Sequence, residues 1–270
     1  MNGQPNLMDR MALSMKAVHI QCLDENRDPV PGAYASGFIV ESNGSRYLYT
    51  CWHVVTGFNM HDIRIGKSVP NRRFIEMNFQ GFDTTHPNVH KIGGNQSLTL
   101  PLYDENNAPL WNQNKQDIPH PYLNAINLHV PSWHDAVKIL LPQTLSLSDM
   151  QVIKERDIFQ SFPMVGEKVF LVGYPYGYSA LGMEQPTAIV LVRFVAANHI
   201  KDRKSEALVD GPGAPGMSGG PVFVERDNAL HLMGIYTGLI YPDHVVQKNE
   251  KYTALGTVCN LAMWWHSDNV

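Results

Sequence analysis

The sequence predicts an all-β chain of barrel type, and two observations carry that expectation. Short runs rich in Val, Ile, Tyr and Phe recur along it, separated by turn residues. Hydrophobic residues make up 44% of the 270 positions, enough to bury a sizeable core in one large domain or two small ones without help from a metal or a disulfide.

In chain order the runs are 17–22, 35–41, 46–51, 74–79, 136–141, 168–173, 187–197, 221–225, 230–237 and 252–259. Phe38-Ile39-Val40 marks the second, Tyr47-Leu48-Tyr49 the third, and Val137-Lys138-Ile139-Leu140 the fifth. Val169-Phe170-Leu171-Val172, Ile189-Val190-Leu191-Val192 and Val222-Phe223-Val224 mark the sixth to eighth. Turn residues such as Asn43-Gly44, Gly57, Pro142 and Asp227-Asn228 punctuate them. Residues 142–163 read as a linker with a helical turn around 149–156, and Asn260 as the cap of a short final helix over 261–267. Between 81 and 129 the sequence is rich in Asn, Pro and Gly with weak periodicity, and reads as an insertion that is either functional or disordered.

Function is carried most strongly by Gly216-Met217-Ser218-Gly219-Gly220-Pro221-Val222-Phe223. Ser218 stands in a glycine-rich turn that other residues cannot form, and the N–H groups of Gly216 and Ser218 are expected to hold a developing oxyanion. Gly-x-Ser-x-Gly is also the nucleophile elbow of α/β-hydrolases. That elbow needs a helix directly after the serine, where this chain has Gly-Gly-Pro and a β-type run. Only 52 residues follow Ser218, little room for the remaining strands, acid and histidine of such a fold.

A serine needs a base. Arg46-Tyr47-Leu48-Tyr49-Thr50-Cys51-Trp52-His53-Val54-Val55-Thr56-Gly57 reads as a β-rich run ending in a turn, which puts His53 at the end of a strand. Asp135 heads the apolar run 136–141 and supplies a carboxylate to orient the imidazole. The order His53, Asp135, Ser218, with spacings of 82 and 83 residues, is that of chymotrypsin.

With Tyr49-Thr50-Cys51-Trp52-His53-Val54-Val55, Val172-Gly173-Tyr174-Pro175-Tyr176-Gly177 and Gly234-Ile235-Tyr236-Thr237-Gly238 added, the chain resembles the trypsin-like serine peptidases. Within them it is most similar to the bacterial branch that includes the HtrA-type enzymes. The matching pieces run from about residue 33 to 260. The resemblance implies two six-stranded Greek-key β-barrels with the active site in the cleft between them. A first barrel over 1–141 would carry His53 and Asp135, and a second over 164–270 would carry Ser218. It implies a serine endopeptidase whose cleft is lined by Pro212, Thr237 and Gly238. Pro212 stands where the family has its pocket base, so an uncharged residue of small to medium size is expected before the cut. Asp210, Asp243 and Glu250 are the nearest acids. A non-catalytic peptide-binding module on the same scaffold is the alternative. The viral cysteine proteases of this fold are disfavoured because Ser218 holds the nucleophile position.

Other classes find no support. The formal charge is −4 and the pI about 6.3, so nothing invites nucleic acid or an anionic membrane. No run approaches the roughly 18 apolar residues of a membrane span, and residues 1–7 do not read as a signal peptide. Three cysteines, Cys22, Cys51 and Cys259, form an odd set that fits a reducing interior, and a cytoplasmic location is expected. Cys51 reads as a buried packing residue. His86, His90 and His120 lack a metal-binding pattern, and neither a metal nor another cofactor is called for.

Met217 replaces the aspartate that secreted members pair with a new N-terminus, and no room for an HtrA-type regulatory domain follows residue 259. Control by a regulatory partner protein is therefore expected. It would act through the insertion at 81–129 or through a serine turn that is misformed until engaged.

Overall fold

The computed structural model describes residues 12–58, 72–83, 91–112, 135–145, 147, 151–159, 161, 163–201, 204–240 and 255–260. It is built almost wholly of β-strands. The first eight are β1 (Ala17–Leu23), β2 (Pro29–Ser42), β3 (Ser45–Thr50), β4 (Phe74–Asp83), β5 (Lys91–Pro101), β6 (Trp111–Asn112), β7 (Val137–Leu140) and β8 (Val152–Lys154). They form one sheet in the order β5-β4-β1-β2-β3-β7-β6, with β8 added in parallel to β2.

A bridge between Tyr103 and Pro109 then joins the end of β5 to the start of β6. The N–H of Leu110 donates to the carbonyl of Leu102 at 2.9 Å beside it. The first sheet thus returns on itself through this short bridge rather than through a full ladder.

The second half is a closed barrel of six strands, β9 (Lys168–Gly173), β10 (Ile189–Lys201), β11 (Lys204–Val209), β12 (Pro221–Arg226), β13 (Ala229–Ile240) and β14 (Leu255–Asn260). Its order is β10-β11-β14-β13-β12-β9, so β14 inserts between β11 and β13, a Greek-key closure. The all-β expectation holds, with one fully laddered barrel and one large sheet.

Three readings of the sequence differ from the structure, and a fourth is not described. Part of the supposed insertion, 91–101 and 111–112, is strand: β5 pairs with β4 along its length, is exposed over 94–97, and packs on the core only near its end through Leu98 and Leu100. The helical turn expected around 149–156 is instead β8 followed by one 3₁₀ turn, Glu155–Asp157. Val152 and Ile153 are buried and draw the segment onto β2. β11 went unread because Lys204-Ser205-Glu206 looks like a solvated turn, yet it pairs on both sides. The helix at 261–267 lies outside the described residues. Among the described residues no helix is long and apolar enough to cross a membrane.

The two halves share a core. Phe38, Ile39 and Leu48 of the sheet belong to one buried cluster with Phe170, Val172, Tyr174 and Ile235 of the barrel half. His19 of β1 sits in this seam, edge-on to Tyr174 with ring centroids 5.3 Å apart at 82°. Its Nδ1 is buried and has no hydrogen-bond partner among the described residues. Burial drives its pKa down from 6.5 to about 4. The folded value lies below the unfolded one, so the unfolded chain binds more protons between them. Stability from this group is therefore full above pH 6.5 and falls as pH drops toward 4, by at most about 3 kcal/mol. Denaturant titrations of wild type are expected to show a loss of about 2 kcal/mol between pH 7.5 and pH 5 from this group. His19→Phe should remove most of that loss, and an unchanged pH dependence in the variant would contradict the assignment.

Candidate active site

β3 ends at Thr50 and the chain turns into a single-turn helix, α1 (Trp52–Thr56). His53 is therefore the second residue of a helix, not the last of a strand. The β-branched run Val54-Val55-Thr56 disguised the turn, but burial of Trp52, Val54 and Val55 outweighs a weak propensity. Gly57 ends the helix at φ 77°, with its N–H on the carbonyl of His53 at 2.9 Å. Arg72 adds a cation there, its Nη1 donating to the carbonyls of His53 at 3.0 Å and Val54 at 2.5 Å.

Asp135 lies two residues before β7 and grips His53 twice. Oδ2 is 2.5 Å from Nδ1, and Oδ1 accepts the backbone N–H of His53 at 2.9 Å. Both side chains keep about 30% of their surface exposed. A carboxylate at Nδ1 holds the proton on that nitrogen and leaves the lone pair on Nε2.

His53 and Ser218 line one cavity of about 220 Å³, together with Tyr34, Arg72, Pro215 and Gly216. The fold thus brings the three residues named from sequence to one place. His53 and Asp135 come from the sheet, and Ser218 from the turn that enters β12.

The serine turn is fixed by its carbonyls. Pro215 O accepts the N–H of Tyr176 at 2.5 Å, and Met217 O accepts the N–H of Gly220 at 3.0 Å. In a trans peptide the N–H points opposite to the carbonyl, so the N–H groups of Gly216 and Ser218 are turned away from these partners. Neither donates a backbone hydrogen bond among the described residues. Gly216 has φ 93° and a Cβ there would lie 2.5 Å from the carbonyl oxygen of Tyr174, so the position admits only glycine. The turn is clamped, which leaves no support for the expectation of a misformed one.

Ser36 of β2 does much of the clamping, and nothing in the sequence pointed to it. Its Oγ donates to Gly216 O at 2.7 Å and accepts the N–H of Tyr174 at 2.9 Å. Its N–H donates to Ser218 O at 2.9 Å, and its carbonyl accepts the hydroxyl of Thr50 at 2.9 Å. One fully buried serine therefore ties the sheet, the serine turn and the end of β9 together. Ser36→Ala leaves two buried backbone groups unpaired, at about 1–3 kcal/mol each. It is expected to lower kcat about 10- to 100-fold with little change in KM, below the loss from deleting an oxyanion donor outright. A matched fall in kcat and rise in KM, or no kinetic effect, would show that Ser36 does not hold the turn.

The remaining residues named from sequence are placed outside this cavity or outside the described residues. Pro212, Thr237 and Gly238 do not line the cavity that holds His53 and Ser218. Pro212 O accepts Arg193 Nη2 at 2.8 Å, the hydroxyl of Thr237 is 2.8 Å from that of Thr257, and Gly238 sits at a bulge in β13. Asp210 accepts the N–H of Phe194 at 2.9 Å. Asp243 and Glu250 lie outside the described residues, as do His86, His90 and His120.

None of the three cysteines forms a disulfide, and all three are buried. Cys51 Sγ lies 3.4 Å from the carbonyl oxygen of Tyr236. Burial, then the charge of Asp135 and the nearby Cys259, push its thiol well above the usual range, so it packs as a neutral group. Cys51, His53 and Asp135 offer possible metal-ligand atoms within 4.8 Å of one another. The Nδ1 and carboxylate atoms of that group already bond each other, and the thiol holds its proton, so the set fits a hydrogen-bonded site better than an ion.

No protein-family model and no curated protein matches the chain. Among solved structures it is similar to the Rv3671c protease of M. tuberculosis in its active form, at 11% identity and a TM-score of 0.48. That match covers 98% of this chain and 86% of the other. An inactive form of the same protein with its serine changed to alanine matches at 10% identity and a TM-score of 0.48, covering 98% and 89%.

Proposed function

We propose that this protein is a serine endopeptidase that cuts one or a few protein substrates through Ser218, His53 and Asp135. The pairing of Asp135 with both the ring and the backbone of His53, beside the cavity shared with Ser218, carries the reading. His53 Nε2 takes the proton of Ser218 as the hydroxyl attacks a peptide carbonyl. The N–H groups of Gly216 and Ser218 receive the negative oxygen of the tetrahedral intermediate. His53 then gives the proton to the leaving amine, and water releases the acyl group by the same steps. Asp135 holds the ring in place and stabilises the imidazolium.

The clamped serine turn supports a site formed before substrate arrives, so a regulatory partner would act on access to the cleft. Incubation with a fluorophosphonate that has no side chain of its own, followed by mass spectrometry, tests the reading. One adduct on Ser218 and defined peptide products from a protein library are expected. Peptide binding without adduct or products would establish a non-catalytic binding module instead.

A further inference from the structure

Tyr236 sits directly behind the serine turn, its backbone paired to Gly219 and Gly220. In the proposed mechanism His53 reaches the departing amine, which puts the leaving group on the side of the cavity that His53 and Ser218 share. That mechanism leaves the acyl group on the opposite side, toward the segment 211–214 that leads into the turn and the stretches of β13 and β14 around Tyr236 and Gly256. These three stretches pack on one ring. The N–H of Gly213 donates to the hydroxyl of Tyr236 at 2.8 Å. A Cβ at Gly213 would lie 2.7 Å from the ring, and one at Gly256 would lie 3.1 Å from its other edge.

Glycines facing each other across a gap leave a slot between backbones. Here the slot is occupied by a side chain that is only 2% exposed. The ring is anchored in the barrel core with Val209, Met217 and Val258, and its tip is tied to Gly213, so it has little freedom to withdraw. Its own carbonyl accepts the N–H of Gly219, and its N–H donates to Gly220 O at 2.9 Å, which fixes the ring relative to the nucleophile.

We infer that Tyr236 sets the specificity of the site, admitting glycine, alanine or serine before the scissile bond and rejecting aromatic, basic and long aliphatic residues. This inference rests on the proposed peptidase activity. A buried ring that cannot swing away excludes by overlap, and overlap discriminates more sharply than the loss of a methylene contact.

The test uses peptidyl diphenyl phosphonates that differ only in the residue mimicking the one before the cut, alongside the fluorophosphonate that lacks a side chain. Wild type is expected to react with the alanine probe at least about 100-fold faster than with the phenylalanine or lysine probe. Tyr236→Phe keeps the ring and should keep that ranking. Tyr236→Val opens the slot with a β-branched residue suited to a strand, and should raise the rate with the phenylalanine or leucine probe relative to alanine at least about 10-fold. A wild-type preference for a large residue overturns the inference, even if Tyr236→Val does not fold. So does an unchanged ranking in folded Tyr236→Val. Reaction with the fluorophosphonate but equal rates with all phosphonates overturns it while leaving the peptidase reading intact. No reaction with any probe overturns both.

Discussion

Ser218→Ala is expected to abolish covalent labelling and to lower peptide turnover by roughly 10⁴ to 10⁶, because the triad acts as a unit. The fold should survive. The backbone of residue 218 is held by Ser36 through a hydrogen bond to its carbonyl, and the methyl side chain of alanine fits where the serine hydroxymethyl stood. The comparison is made by steady-state cleavage of a peptide found in the library screen, with thermal unfolding as the control for structure. Turnover within a few-fold of wild type at unchanged stability would remove Ser218 from the mechanism.

Asp135→Asn should cost about 10⁴ in kcat while leaving stability nearly unchanged. The two grips of Asp135 make the reason specific. Oδ1 accepts the backbone N–H of His53, and an asparagine would keep its carbonyl oxygen at that position. Its amide nitrogen is then the atom facing Nδ1, where the carboxylate oxygen now sits at 2.5 Å. A donor facing Nδ1 moves the ring proton to Nε2, the nitrogen that must accept the proton of Ser218. The variant therefore has a correctly placed imidazole in the wrong tautomer. Kinetic measurement together with a denaturation curve checks this. A mild kinetic effect would mean that the His53–Asp135 contact serves only to anchor α1.

Strands with apolar, β-branched runs were legible in the sequence, since burial on a pleated face selects Val, Ile, Phe and Tyr. β5 was not, because its exposed polar start carries no compositional mark, and β11 was not, because its polar start hides the buried Ala207 and Val209. The structure brings His53 and Asp135 into contact as the sequence suggested, yet the local structure around His53 differs from the strand end expected there. Five residues suffice for α1, too few for a helical period to show. Ser36 and Tyr236 were missed for a different reason. A serine inside Ala35-Ser36-Gly37-Phe38 looks like strand filler, and its meaning depends on Gly216 and Ser218, far along the chain. Tyr236 looks like an ordinary barrel residue until the glycines on either side of its ring are placed next to it. Long-range pairings of this kind are set by topology, and no local pattern encodes them.

The position of β14 between β11 and β13 also fixes when the site can exist. On a growing chain the sheet that carries His53 and Asp135 has all its described strands once β8 has been made. The barrel has no such early completion. Until residues 255–260 have been added, β11 and β13 each lack a neighbour, and Gly234, Ile235 and Tyr236 are without their pairings to Asn260, Cys259 and Val258. The backbone of Tyr236 is what holds Gly219 and Gly220 of the serine turn. A nascent chain therefore displays His53 and Asp135 long before β13 and β14 can order the turn that carries Ser218.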